Sequence, residues 1–262
     1  MLTVDSNGSG SVSGSGSGSG SVVILLTATI NTKGCLGVRQ SKIDERIDSY
    51  YRSFKQWMAL DLPYPIYIIE NSGYGNPFVN LDWNGNQKVK YISVKLPMSG
   101  RRGKGYGEAL SQKYFLNNIA TDQDTIVVKF TGRWAPVSGD KAFERLLDLV
   151  EEARTNPDFC CIIKPILPIH TLDKRDLDRS NMDDVETLKQ LTRWFVLKQS
   201  NFLEFIENGL AQYRFNDQRG VDGWYESVFY DYICQYQPIS LDSAIEVVEN
   251  QDGSYNQPVS QI

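Results

Sequence analysis

Four short stretches of the chain carry the residue types that chemistry needs. Ser99-Gly-Arg-Arg-Gly-Lys-Gly-Tyr-Gly-Glu108 sets three cations, Arg101, Arg102 and Lys104, among four glycines. Glycines let backbone amides approach an anion. Where such a run opens a helix, the partial charge of the N-terminus adds to the whole charges. The combination points to phosphate binding, with a solvated loop as the plain alternative. The glycines at 103, 105 and 107 do not form the G-x-G-x-x-G of dinucleotide folds, nor is this a G-x-x-x-x-G-K-[ST] loop.

The second stretch is Lys129-Phe-Thr-Gly-Arg-Trp134. A lysine facing inward near a strand end needs an anion. Two partners fit Lys129 equally: a ligand diphosphate, for which Arg133 would add a bidentate fork, or an acidic neighbour such as Glu108. Third is Glu70-Asn71-Ser72-Gly73, where a carboxylate and a carboxamide can bond a base edge or ribose hydroxyls. Asn-Ser-Gly is also strong turn chemistry, the more ordinary role. Last, Glu226 sits among Trp224, Tyr225, Phe229 and Tyr230. An aromatic-walled carboxylate suits a general base, although an exposed place on an amphipathic helix is commoner. The single histidine, His170, reads as structural.

These stretches fall at the ends of a regular alternation. Val22–Ile30 is continuously apolar, as a strand buried on both faces would be. Ser41 caps a helical pattern to about Leu60, stopped by Pro63 and Pro65. Strands are expected at 65–69, 89–95, 125–130 and 159–164, and helices at 106–119, 140–154 and 192–208. Strand–helix alternation predicts an α/β fold, a mostly parallel sheet with helices on both faces. Such sheets bind ligands outside the carboxyl ends of their strands.

Composition narrows the classes. A net charge of −5 and no extended run of clustered Lys/Arg argue against a nucleic-acid surface as the main function. The longest apolar run, Val22–Leu26, is far short of the roughly 20 residues that span a bilayer. No secretory signal is readable at Met1, so a soluble, cytoplasmic chain is expected. Four cysteines with no C-x-x-C, beside one histidine, do not make a zinc site, and read as reduced thiols. The Gly/Ser-rich residues 1–21 read as a flexible tail or linker, 22–250 as a single domain, and 251–262 as a disordered tail. The charged stretch Asp173–Gln190 reads as a mobile loop.

The order of these pieces resembles that of nucleotide-diphospho-sugar transferases of the GT-A fold, bacterial and viral glycosyltransferases with a K-x-[TS]-G-R-[YW] element. Here that element is Lys129–Trp134, preceded by Gly103-Lys-Gly-Tyr-Gly-Glu108, and Leu25-Leu-Thr-Ala-Thr-Ile-Asn31 looks like the family's first strand. The likeness runs from about Val22 to Tyr232. It implies a Rossmann-like three-layer α/β/α sandwich. It places Thr27, Thr29, Glu70, Asn71, Lys104, Gly105 and Glu108 at the nucleotide, and Arg101, Lys129, Thr131, Gly132 and Arg133 at the diphosphate and sugar.

By the same likeness Glu226 is the base that deprotonates the acceptor hydroxyl, with Asp222 behind it. The implied activity is transfer of a sugar from a UDP- or GDP-sugar donor to a glycan or glycolipid acceptor, with inversion. The family's metal-binding Asp-x-Asp has no counterpart at the fourth strand end, where Thr131-Gly-Arg133 stands. Asp122-Gln-Asp124 precedes the strand and Asp176-Leu-Asp178 lies in a polar stretch. No metal ligand is therefore assigned, and Mn²⁺ or Mg²⁺ dependence stays open. Two other readings stand beside this one: a non-catalytic nucleotide- or sugar-binding relic of the fold, and a nucleotidyltransferase.

Overall fold

In the computed structural model of the chain, the residues described are 20–33, 42–79, 81, 88–96, 103–156, 159, 161–163, 193–211, 224–233, 235–236, 238–241, 245 and 247–249. For Lys104 and Glu226 the description extends to the backbone. Arg101, Asp222, His170, Asp176, Asp178 and the stretch Asp173–Gln190 lie outside these residues, as do 1–19 and the tail from 251.

The apolar runs form the sheet. Strands β1 (Val22–Ala28), β2 (Ile66–Glu70), β3 (Val89–Ser93) and β4 (Ile126–Thr131) lie parallel to their neighbours in the order β3-β2-β1-β4. Strand β7 (Trp194–Lys198) then pairs antiparallel with β4 and with β6 (Cys161–Ile163), and β8 (Ile239–Ser240) closes the far edge parallel to β6. Strand β5 (Trp134–Pro136) and β9 (Val247–Glu249) make a separate two-stranded ribbon. The result is a three-layer α/β/α sandwich around a mostly parallel sheet, as the alternation predicts.

Period-two alternation sorts the side chains between the layers. From β1, Ile24 and Leu26 join Phe130 of β4 on one face, beneath helices α1 (Ile43–Ala59) and α3 (Lys141–Ala153). Trp57 anchors this face: its ring meets Phe130 edge-on at 4.8 Å, and its Nε1 donates to the carbonyl of Trp134 at 2.8 Å. Val23, Leu25 and Val127 face the other way, under helices α2 (Gly103–Asn118), α4 (Gln199–Ala211) and α5 (Trp224–Ile233). There Phe195 stacks on Phe229 with centroids 4.5 Å apart. Asp140 caps α3 by accepting from the amides of Ala142 and Phe143. At the start of α1 the cap position is Lys42, without a side-chain cap bond.

Two expectations change. The helix expected over 192–208 is the strand β7 followed by α4. Trp194-Phe-Val-Leu197 is buried on both faces between β4 and β6, where β-branched and aromatic side chains fit a pleat better than a helix surface. The body of the fold also begins earlier than Val22. Gly20 is buried, its carbonyl accepts from Arg154 Nε at 3.1 Å, and Ser21 Oγ meets Thr125 Oγ1 at 2.9 Å. Among the described residues no helix is long and apolar enough to cross a membrane.

Candidate functional site

Among the parallel strands β1 to β4 the order reverses direction at β1. The chain leaves β1 for β2 and β3 on one side, then passes through α2 to β4 on the other side of β1. In open α/β sheets the crevice outside the strand ends at such a switch point is where ligands bind. Here it is bounded by the ends of β1 and β4 and by the first turns of α2.

The ends of β1 and β4 are held at unusually close range. The amide of Gly132 donates to the carbonyl of Thr27 at 2.8 Å. A Cβ at position 132 would stand 2.6 Å from that carbonyl oxygen, so only glycine fits. This accounts for the glycine of the Thr131-Gly-Arg133 sequence. Arg133 follows in the turn, half-buried, ahead of β5.

On the α2 side the apolar layer gives way to a polar one. In register, Leu25 pairs with Lys129 and Thr27 with Thr131. Lys129 is 0 % exposed and places Nζ 2.6 Å from Glu108 Oε1, 3.4 Å from Thr131 Oγ1 and 5.3 Å from the centroid of the Phe195 ring. Of its two candidate partners, the acidic neighbour is the one present. The wholly buried ammonium meets Glu108, the acidic neighbour weighed beside a diphosphate as its partner. Glu108 Oε1 also accepts from Thr27 Oγ1 at 3.2 Å and faces Gln112 Nε2 at 3.5 Å. Gln112, itself buried, accepts the Tyr225 hydroxyl at 2.6 Å.

Tyr225 brings α5 to this place. A Cβ at Gly105 would lie 2.9 Å from Tyr225 Cβ, so the glycine lets α5 settle on the first turn of α2. Glu226 is the next residue of that helix. The backbone of α5 thus places Glu226 one residue beyond the contact with the first turn of α2.

The residues ending β2 serve a different purpose. Glu70 is 0 % exposed, and both carboxylate oxygens are engaged. Oε1 accepts from the amides of Ile30 (3.1 Å) and Ser72 (2.9 Å) and from Ser72 Oγ; Oε2 accepts from the Tyr74 amide (3.0 Å) and Ser93 Oγ (3.1 Å). One carboxylate therefore ties together the segments after β1 and β2 and the end of β3. Asn71 extends the tie, accepting from Thr29 Oγ1 at 2.7 Å and donating Nδ2 to the carbonyl of Gly107 at 3.0 Å. Through these bonds Glu70 and Asn71 shape the rim of the crevice and hold α2 against it.

Beneath this rim Arg46 Nε donates to the Thr29 carbonyl at 2.5 Å, while Tyr50 Oη accepts from the Thr29 amide at 2.9 Å and from Arg46 at 3.1 Å. Sequence reading passed over Arg46, Tyr50 and Gln112. Their signal was a polar group at a core-facing helical position: Tyr50 is four residues after Arg46, and Gln112 four after Glu108.

Among the described residues no three His, Cys, Asp or Glu side chains gather to hold a metal ion. Among the described residues the carboxylates here are Glu70, with both oxygens engaged, and Glu108 of α2, held through Oε1, and the end of β4 supplies Thr131, Gly132 and Arg133. This donor set does not fit the divalent cation that the GT-A likeness implies. Asp122 serves a turn ahead of β4, accepting from the Asp124 amide, and Asp124 lies 3.6 Å from Lys198.

No family model matches the chain, and no curated protein does. Solved structures do match. A 4-diphosphocytidyl-2C-methyl-D-erythritol synthase from Anaerococcus prevotii DSM 20548 is 11 % identical, with a TM-score of 0.46 over 85 % of this chain and 86 % of that one. The apo-form glycosyltransferase GlyE of Streptococcus pneumoniae TIGR4 is 10 % identical, with a TM-score of 0.46 over 86 % of this chain and 45 % of that one. This chain therefore spans under half of the GlyE structure. A mannose-6-phosphate isomerase from Helicobacter pylori is 12 % identical, with a TM-score of 0.40 over 89 % of this chain and 94 % of that one. Likenesses this remote carry none of those activities to this chain.

Proposed function

We propose that the chain is a nucleotide-sugar transferase, moving a sugar from a nucleoside-diphosphate donor to the hydroxyl of a glycan or glycolipid. The observation that carries this reading is the switch point itself. The ends of β1 and β4 converge on the first turns of α2, where the N-terminal end of a helix meets a polar layer set into an otherwise apolar core.

The diphosphate is assigned to the amides opening α2 and to Arg133, and by the sequence likeness to Arg101 and Lys104. Thr27, Thr29, Gly105 and Glu108 flank the nucleoside. Transfer is a displacement at the anomeric carbon. The acceptor oxygen bonds to that carbon as the bond to the diphosphate oxygen breaks, and Glu226 takes the acceptor's proton, with Asp222 as the nearest substitute. The electron pair leaves on the nucleoside diphosphate, whose charge the helix amides and cations stabilise. In-line attack of this kind inverts the anomeric centre.

The test is a panel of UDP-, GDP- and CDP-sugars scored for sugar release to water or to simple glycosides, with Mn²⁺ and with EDTA. One donor is expected to turn over, and to do so in EDTA. In Glu226→Gln, turnover falls by about two to four orders of magnitude while donor binding persists. Binding without turnover in every variant would instead favour a non-catalytic relic. A strict Mn²⁺ requirement would move attention to Asp176 and Asp178.

A further inference from the structure

The Lys129–Glu108 pair is asymmetric in a way that suggests its use. All the contacts of the Glu108 carboxylate run to Oε1: Lys129 Nζ at 2.6 Å, Thr27 Oγ1 at 3.2 Å and Gln112 Nε2 at 3.5 Å. Among the described residues Oε2 accepts no hydrogen bond, and the Glu108 side chain stays 26 % exposed while Lys129 is sealed. A carboxylate held through one oxygen and still partly exposed keeps acceptor capacity on the other.

Charge decides what it accepts. A bare carboxylate beside a diphosphate would repel it, but the pair with Lys129 is neutral. It keeps acceptor strength without net charge, which suits a ligand group that is neutral and rich in O–H donors. Glu108 stands five residues into α2 from Gly103, about 7.5 Å along the axis at 1.5 Å per residue. A nucleotide sugar with its diphosphate at the helix start extends hydroxyls past that distance in both directions.

We propose that Glu108 reads hydroxyl groups of the bound nucleotide sugar through Oε2, and that Lys129 is a positioning residue, the buried counter-charge that fixes Glu108, with no phosphate contact of its own. The proposal rests on the transferase reading above. The hydroxyls are those of the ribose or of the transferred sugar, and the test separates the two.

Binding is measured by calorimetry with UDP, GDP and CDP, their 2′-deoxy forms, and the corresponding nucleotide sugars. The protein is the full chain and the paired variant Glu108→Leu with Lys129→Met. Replacing both members of a buried pair by apolar groups of similar size commonly leaves stability intact, and a thermal melt verifies the fold. Ribose reading weakens the diphosphate and the nucleotide sugar alike by about 10- to 100-fold in the variant, and the 2′-deoxy form binds the unaltered protein weakly by a similar factor. Sugar reading weakens only the nucleotide sugar in the variant and leaves the diphosphate unchanged. Because the 2′-deoxy ligands, and nucleotide sugars lacking single sugar hydroxyls added to the same set, are compared on the unaltered protein, the test survives a variant that fails to fold. Equal binding of all of these ligands by both proteins overturns the proposal and leaves the transferase reading standing. No nucleotide binding by the unaltered chain overturns both.

Discussion

Gly132 has room for a hydrogen atom and nothing larger, because the Thr27 carbonyl would lie 2.6 Å from any Cβ. Gly132→Ala should cost about 1–3 kcal/mol of stability as the β1 and β4 ends are forced apart. A urea titration checks this, and an unchanged midpoint would mean that the ends separate without strain. At this scale the sequence is partly legible. An inward lysine near a strand end demands an anion, so Glu108 could be named as its partner from residue types alone. Gln112, Arg46 and Tyr50 could not, since a polar residue on a helix reads as surface until the neighbouring elements show which face is covered. Glu70 reads from its type and strand-end position as a ligand contact or part of a turn, and its five internal donors come from three segments that no local pattern brings together.

Helix α2 depends on a contact from outside itself. Asn71 Nδ2 holds the Gly107 carbonyl, and its Oδ1 takes the hydroxyl of Thr29, so one side chain joins α2 to the ends of β1 and β2. Asn71→Ala is expected to cost about 1–3 kcal/mol, because groups in a buried setting lose their partner. It should also speed amide hydrogen exchange over 103–108 more than over 112–118. Uniform exchange along the helix would show that Asn71 does not anchor its start. The alternation of elements was readable because each parallel strand is a continuous apolar run, and the order of runs survives any error at their ends. The run 194–197 was not: four apolar residues in a row fit a buried strand and a buried helix equally, and only pairing with β4 and β6 decides. Strands β5, β8 and β9, each of two or three residues, leave no periodic trace at all.

For the whole molecule, buried phenols set the alkaline limit. Burial, and then the charge of Glu70, push the Tyr91 hydroxyl well above the ordinary tyrosine range; burial, and then the hydrogen bond to Glu151, do the same for Tyr64. A group whose proton is held more tightly in the folded state adds stability that is whole below its unfolded pKa of about 10 and is lost above it. The denaturant midpoint is therefore expected to fall above about pH 10, with a shallower fall in Tyr91→Phe, at the cost of the 2.6 Å bond to the Gly75 carbonyl. Glu151 acts at the other end. The Tyr64 hydroxyl and then Arg154 hold its carboxyl below the usual range, so its contribution is present above about pH 4.3 and fades as pH falls further. Its exposure keeps that contribution small. Equal alkaline limbs in the parent and in Tyr91→Phe would remove the Tyr91 phenol as a cause.

The placement of the site is what the account stands on. Hydrogen exchange should be followed with and without a saturating nucleoside diphosphate, with peptides read across the whole chain. The expected footprint is slowed exchange at 103–108, at 27–33 and at 131–133, the segments that meet at the switch between β1 and β4. Protection confined to other segments, or no protection by any nucleotide, would contradict it.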